Sequence, residues 1–195
     1  MADRLYPCIL GAAFATLPRA VRDAHESATL MRGTVTVERG DTITSRVAGL
    51  LAGLPAACQD APCEVRFEQI GAGERWTRNM NGSIYVSTLR PAVEPRCFNE
   101  SFGAYAFRFH VHASSAGAHF ELNGHSLCGI PVPRLFWPQI ETRESEVDGS
   151  YAFLAETRTF TGALLVRYSG KLSMIADKNP PKTVGESGSK GSRNE

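Results

Sequence analysis

Apolar and polar residues alternate through most of the chain over residues 62–175, and this period of two predicts a series of β-strands. The N-terminal part follows a different pattern. Apolar residues at helical spacing predict a first helix over residues 4–26, interrupted at Pro18. A strand, Gly33–Gly40, and a short helix that Pro55 stops complete this part.

The stretch GERWTRNMNGSIYVST, Gly73–Thr88, gives the strongest local prediction. Asn81-Gly82 lies between two alternating runs, which favours a β-hairpin with a two-residue turn. The turn places four polar or aromatic side chains on one face of the hairpin. They are Trp76, Arg78, Tyr85 and Ser87. We expect this face to point into the protein.

Two further hairpins follow the same logic. AYAFRFHVHASSAGAHFELNGH is predicted to turn at Ser114–Gly117, and IETRESEVDGSYAFLAETR at Asp148-Gly149. The register of the first of these is then His110 opposite Glu121, His112 opposite His119 and Arg108 opposite Asn123.

The combined pattern predicts an α+β fold in which an antiparallel sheet dominates. About eight or nine short strands after two N-terminal helices favour a strongly curved or closed, barrel-like sheet, because a flat sheet of that size would leave edges exposed. We expect one domain over residues 1–177. The tail, residues 178–195, carries too little apolar surface to fold and is predicted to be disordered.

Composition narrows the class of protein. The 195 residues carry a formal net charge of +1 and are 43% hydrophobic, which is typical of a globular protein and gives no electrostatic case for nucleic acid or a membrane surface. No apolar run is long enough for a spanning helix. The apolar N-terminus has the alternative of a signal peptide, but Asp3, Pro7 and the continuing helical stripe favour an amphipathic first helix and a cytoplasmic protein. The five cysteines lack a CxxC spacing and are expected to be reduced, mostly buried thiols. No cofactor-binding motif is present.

Several segments together carry a family resemblance. In chain order they are VTVERGD (Val35–Asp41), GERWTRNMNGSIYVST, CFNESFGAYAFRF, LCGIPVPRL (Leu127–Leu135), IETRE (Ile140–Glu144) and LLVRYSGKL (Leu164–Leu172). They resemble a bacterial family known as domain of unknown function 4166, over roughly residues 5–175.

The resemblance implies little about chemistry. Members of that family occur alone or behind a saccharopine-dehydrogenase-like NAD(P)-binding domain. This chain lacks the G-x-G-x-x-G of such a domain and so resembles the standalone form. It departs from the family pattern at Met80, where relatives tend to have an aromatic residue, and at His110 and His112.

The hairpin face is the first candidate site, because a buried arginine needs a hydrogen-bonding partner or an anion. We place Arg78, Tyr85, Glu141 and Tyr168 in possible catalytic roles, and Trp76, Ser87, Arg143 and Trp137 in ligand binding. Two interpretations stay open. Either Arg78 holds the anionic group of a ligand in the barrel lumen, or it forms a structural ion pair, for example with Glu141.

The histidines of the second hairpin are another candidate. His110, His112, His119 and Glu121 share one face, and imidazole nitrogens with a carboxylate suit zinc or iron. The alternatives are an acid–base pair of His110 with Glu121, or a solvated polar face. We assign no metal ligand on sequence grounds.

The loop LCGIPVPRLFWP is the third candidate, either a lid over the barrel mouth, a protein contact or a buried crossover. Two functions follow. One is binding of a small hydrophobic anion in the lumen, with cyclase- or isomerase-type acid–base chemistry. The other is a non-catalytic module that docks onto an NAD(P)-dependent reductase through this loop and the second helix.

Overall fold

The computed structural model describes residues 4–51 and 53–175, so the predicted tail over residues 178–195 lies outside it. Three α-helices are present in the described ranges: α1 (Leu5–Leu10), α2 (Arg19–Glu26) and α3 (Ile43–Leu51). Within these ranges, none of the helices has the length and apolar character needed to cross a membrane.

The predicted first helix is broken twice. Gly11 ends α1 in a left-handed conformation, with φ of 52°, and a 3₁₀ segment, Gly11–Thr16, follows it. Pro18 is extended, with ψ of 152°, and α2 begins at the next residue. The break at Pro18 is the one that the sequence predicts, because proline lacks the N–H that a continuing helix needs.

Eleven antiparallel strands form one sheet. In chain order they are β1 (Leu30–Arg39), β2 (Cys58–Ile70), β3 (Gly73–Met80), β4 (Ser83–Pro91), β5 (Cys97–Phe102), β6 (Tyr105–Ser114), β7 (Gly117–Leu127), β8 (Ile130–Pro131), β9 (Gln139–Val147), β10 (Ser150–Arg158) and β11 (Leu164–Met174).

Ten of these strands close into a barrel. They follow the order β6-β5-β4-β3-β2-β1-β11-β10-β9-β7, and the pairing of β6 with β7 joins the two ends. The short strand β8 is an addition at the end of β7. Closure satisfies the backbone groups that a sheet edge would expose. The barrel-like α+β class is therefore confirmed, with more strands than predicted, since β5 and β8 are strands of their own.

The β3–β4 hairpin has the predicted register. Met80 pairs with Ser83 across the Asn81-Gly82 turn, and Asn81 has a positive φ of 49°. Arg78 pairs with Tyr85, and Trp76 with Ser87. Trp76 is 5% exposed and Ser87 1% exposed, whereas Ile84 and Val86 on the other face are exposed. The predicted inward face is thus confirmed.

One predicted pairing in the β6–β7 hairpin is wrong. His110 pairs with Glu121 and His112 with His119, as expected, but Arg108 lies opposite Gly124 rather than Asn123. The register shifts between Arg108 and Phe109, so β7 carries one extra residue there. Such a bulge increases the local bend of a strand.

Helices α1 and α2 close one end of the barrel and together form a helical plug. Leu5 and Tyr6 of α1, with Val21 and Ala24 of α2, are fully buried against the strand ends. At the opposite end, α3 lies beside the start of β11, where Ser45 Oγ donates a hydrogen bond of 2.6 Å to the Leu164 carbonyl. This second end stays open.

The five cysteines are free thiols, as predicted, but they are not mostly buried. Cys63 and Cys97 are buried, Cys58 is half-buried, and Cys8 and Cys128 are exposed. Burial raises the pKa of the Cys63 thiol to about 11, so this thiol is protonated at neutral pH.

Candidate functional site

A cavity of about 300 Å³ opens at the end of the barrel that the N-terminal helices leave free. Its walls are mainly aromatic and aliphatic side chains that the inward faces of the strands supply. They include Phe102, Tyr105, Phe107, Phe136, Ile140 and Val166. This volume is at the lower end of the range for small-molecule sites, and an apolar lining with a few polar groups is typical of them.

A smaller pocket of about 60 Å³ lies deeper in the barrel. The two cavities are adjacent, because four residues line both. They are Met80, Thr142, Ala155 and Tyr168. The inner pocket reaches Arg78 and Glu144, so the charged side chains that line the two cavities lie at the inner end of the lumen.

Arg78 is the buried cation of the lumen wall. Its Nη1 donates to Ser87 Oγ at 2.9 Å, and its Nη2 lies 3.3 Å from Glu100 Oε1. The guanidinium carbon also lies 4.9 Å from the centre of the Trp76 ring and 5.5 Å from that of Tyr85. Burial lowers the pKa of Arg78, but Glu100 and the nearby phenols outweigh it and raise the pKa overall.

Tyr168 and Tyr85 supply hydroxyl groups beside this cation. Both line the open cavity, and burial raises the pKa of each phenol above its ordinary value. Arg78 opposes this rise without cancelling it. Both residues are therefore neutral hydrogen-bonding groups at any physiological pH.

A buried polar network closes the inner end of the barrel. His25 of α2 lies with its Nε2 2.7 Å from Glu144 Oε2, and Tyr6 of α1 donates to Glu144 Oε1 at 3.2 Å. The Tyr6 and His25 rings stack in parallel, with centroids 3.5 Å apart. Burial, together with the charge of Glu144, raises the pKa of Tyr6 well above its ordinary range. The helical plug is thus fixed to the barrel wall through one carboxylate.

A second carboxylate anchors the plug beside the first. Glu74 is 1% exposed and accepts a hydrogen bond of 3.0 Å from the backbone N–H of Leu5, at the start of α1. Its other oxygen accepts one of 2.8 Å from Trp76 Nε1. Backbone N–H groups in the first turn of a helix have no partner within the helix, and this carboxylate provides one.

His125 is a half-buried imidazole that lines the open cavity. Its ring stacks on Phe107 with centroids 4.5 Å apart, and its Nδ1 lies 3.2 Å from the Ala106 carbonyl. Burial lowers the pKa of this imidazole, and the hydrogen bond to Ala106 only partly opposes the shift. The mouth of the cavity therefore holds a neutral imidazole.

Comparison with known proteins identifies the family of this chain. A family model described as a domain of unknown function (DUF4166) matches residues 17–172. The chain belongs to the DUF4166 family. No curated protein sequence matches it at a significant level. The match covers α2, all of the barrel strands almost to their end, and every wall residue of the two cavities.

Two of the predicted site residues of this DUF4166 protein lie outside the lumen. Glu141 and Arg143 pair with each other at 2.9 Å on the outer face of β9, with side chains 45% and 63% exposed. Arg78 forms a structural ion pair, but not with Glu141, the example considered, because the inward face of β9 carries Thr142 and Glu144. The partner of Arg78 is Glu100 instead.

The Pro-rich loop, residues 127–138, contributes Phe136 to the cavity wall, whereas Trp137 is the residue that the sequence predicts to bind a ligand. Trp137 Nε1 donates to the Val132 carbonyl at 2.6 Å within the loop, and the Arg134 guanidinium lies over its ring. Phe136 lines the cavity and packs edge-on against Phe160, with centroids 5.6 Å apart. Trp76, Arg78, Tyr85 and Tyr168, by contrast, lie on the lumen walls as predicted, and Ser87 contacts Arg78.

Sequence reasoning missed His25, Glu100, Glu144 and His125. A signal for His25 exists: the apolar stripe that includes Leu17 and Val21 continues at the next helical step, which is His25. For Glu144 there is none, because both faces of IETRES carry charged residues.

Proposed function

We propose that the barrel binds one small, mainly apolar molecule with a single oxygen-bearing polar end. The observation that carries the proposal is the change along the lumen, from mainly apolar walls at the mouth to the Arg78 guanidinium beside Tyr168 in the inner pocket. Apolar walls supply the driving force for binding, and a few convergent polar groups fix the orientation.

The polar end of this molecule is a carbonyl or hydroxyl rather than a full carboxylate. Arg78 alone suggests an anion, but Glu100 at 3.3 Å already balances its charge. A ligand carboxylate would place a second negative charge beside Glu100 in a medium that screens charge poorly. A neutral oxygen can still accept a hydrogen bond from the guanidinium or from Tyr168.

The cyclase- or isomerase-type acid–base chemistry stays a prediction. Glu141 lies on the outer face and cannot act as a base in the lumen. In the proposed chemistry Tyr168, which borders both cavities, would donate a proton or hydrogen bond to a bound carbonyl, and the His125 imidazole would accept a proton.

Two fluorescent probes with the same aromatic skeleton test the binding proposal. N-phenyl-1-naphthylamine is apolar and neutral, and 1-anilinonaphthalene-8-sulfonate adds one negative charge to the same skeleton. We expect the neutral probe to bind at about one site per chain and to be favoured over the sulfonate. Ala155→Leu, at the junction of the two cavities, should weaken its binding clearly, since the added carbons narrow the lumen there.

Val86→Leu is the matched control, because Val86 is 45% exposed on the outer face of β4. It should leave probe binding unchanged. Circular dichroism checks that both variants fold. Equal probe binding in the wild type and Ala155→Leu, or no saturable binding at all, would contradict the proposal.

A second candidate function rests on the rim of the mouth. Ile43, Leu135 and Phe160 are exposed there to 82%, 78% and 52%, which is typical of a protein contact. Fused relatives suggest an NAD(P)-dependent reductase as the partner. Calorimetry of the chain with such a reductase, compared with a Leu135→Ser variant, tests this function independently of the probes.

A further inference from the structure

The outer face of the β6–β7 hairpin carries a cluster that the lumen does not use. His110 and His112 lie two residues apart on β6 and so project to the same side, away from Phe109 and Val111 of the core. Glu121 faces them from β7, opposite His110. Two antiparallel strands therefore present two imidazoles and one carboxylate to the same point.

The distances in this cluster match a metal-binding geometry. His110 Nδ1 lies 3.3 Å from His112 Nε2, and His112 Nε2 lies 2.9 Å from Glu121 Oε2. One ligand atom from each of the three residues falls within 4.8 Å of the other two. Ligands of a tetrahedral zinc ion, at about 2.0–2.1 Å from the metal, lie about 3.3–3.4 Å from one another.

We propose that His110, His112 and Glu121 bind a divalent transition-metal ion on the outer face of the barrel, with zinc as the best-fitting metal. Imidazole nitrogen and carboxylate oxygen suit zinc, and three protein ligands leave a fourth position for water. The small separation of the three groups means that a metal can replace the present hydrogen bonds with little movement of the backbone.

The surroundings of the cluster are compatible with a cation. Burial and the neighbouring His112 lower the pKa of His110. Arg96 acts in the same direction on His110, and its positive charge opposes a metal ion there. His119 stacks beside His112, with ring centroids 5.9 Å apart.

A metal ion at this site would link the two strands of the β6–β7 hairpin. The ligands come from both strands of the β6–β7 pairing, which is the pairing that joins the two ends of the sheet. A metal that binds only the folded hairpin stabilises the barrel by mass action. The cluster lies on the opposite side of the strand from the cavity, so this proposal is independent of the proposed function.

The test uses the chain freed of any purification tag. Isothermal titration with Zn²⁺ should show about one equivalent per chain, and Co²⁺ should give the intense visible absorption of a tetrahedral complex. Glu121→Gln and His110→Gln should each weaken Zn²⁺ binding about tenfold or more, and remove the Co²⁺ bands. Zn²⁺ should also raise the melting temperature of the wild type, but not that of these variants.

His125→Gln is the matched control, because His125 lies at the cavity on the other side of the barrel wall. It should retain wild-type Zn²⁺ affinity. Glu121 is 61% exposed, so its substitution should leave the fold intact, as circular dichroism would verify. Absence of stoichiometric Zn²⁺ binding, or equal binding by the wild type and Glu121→Gln, would overturn the proposal.

Discussion

Arg78 and Glu100 form an ion pair on the inner wall of the barrel, with 3.3 Å between Nη2 and Oε1 and side chains only 12% and 17% exposed. The pair lies between β3 and β5, on either side of β4, whose Ser87 accepts the second hydrogen bond of the guanidinium. The lumen thus contains a charged group whose charge is already balanced. This relationship determines which ligand the cavity can accept.

Neutralising Glu100 should reverse the charge preference of the cavity. In Glu100→Gln the Arg78 guanidinium keeps a hydrogen-bonding neighbour but loses its counter-ion. We expect the affinity for the naphthyl sulfonate to rise about tenfold relative to that for the neutral probe, since the low-dielectric lumen then offers an unpaired cation. Parallel fluorescence titrations measure the ratio. An unchanged ratio would place the probes away from Arg78.

The pair of His25 and Glu144 should dominate the stability of the helical plug. His25→Phe leaves a buried carboxylate without its imidazole partner and should lower the free energy of unfolding by about 3–5 kcal/mol. His25→Phe combined with Glu144→Leu should be clearly less destabilised than the sum of the two single variants. Urea unfolding measures all three.

The exposed His119 provides a control for this cycle, since His119→Phe should change the unfolding free energy by no more than about 0.5 kcal/mol. Strict additivity of the His25 and Glu144 substitutions would mean that the 2.7 Å contact contributes nothing to stability.

Most tyrosines should resist alkaline titration until the barrel unfolds. The chain has five tyrosines, and burial raises the pKa of Tyr6, Tyr85, Tyr151 and Tyr168. A phenol with a raised folded pKa binds its proton more tightly in the folded state. Stability should therefore be constant below about pH 10 and fall as the pH rises above it.

Absorbance at the phenolate band, recorded together with circular dichroism, checks this expectation. The four phenolates should appear in the same transition as the loss of secondary structure. Gradual ionisation of all five tyrosines in a folded protein would show that the lumen is open to solvent along its whole length.

His125 should make probe binding depend on pH. Burial holds its folded pKa below the model-peptide value of about 6.5, and a bound apolar probe removes more water from the ring and lowers the pKa further. Affinity should then be constant above this range and fall as the pH drops through it. Titration of the His125 ring protons by NMR, with and without the neutral probe, measures the shift directly.

His125→Gln should retain the fold and remove this pH dependence of binding. If the dependence persists in His125→Gln, another group that titrates in the same range must be linked to binding.

The sequence predicts local structure well where turn chemistry is explicit. Asn81-Gly82 determines the register of β3 and β4, and that register alone places Trp76 and Arg78 on one face. The partner of Arg78 is not predictable in the same way. Glu100 lies on β5 and reaches Arg78 across β4, and the sequence pattern does not predict β5 as a strand of its own. The sequence also does not show which residues of β9 point inward, since Glu141 and Glu144 lie on opposite faces of the strand and are chemically alike.

The helical plug shows the same limit. His25 and Glu144 are 119 residues apart in the chain, and only closure of the barrel brings α2 to β9. Hydrophobic periodicity finds the stripe that contains His25, but it does not say which carboxylate the imidazole meets. Long-range polar pairs of this kind depend on the order of strands around the barrel.

A crystal structure of the protein with the neutral naphthyl probe would show whether the lumen is the binding site. We expect the aromatic rings of the probe to lie in the cavity between Phe107 and Phe136, on the mouth side of Tyr168 and Arg78. Clear density for the probe on the outer surface, with the lumen closed by its own side chains, would contradict this expectation.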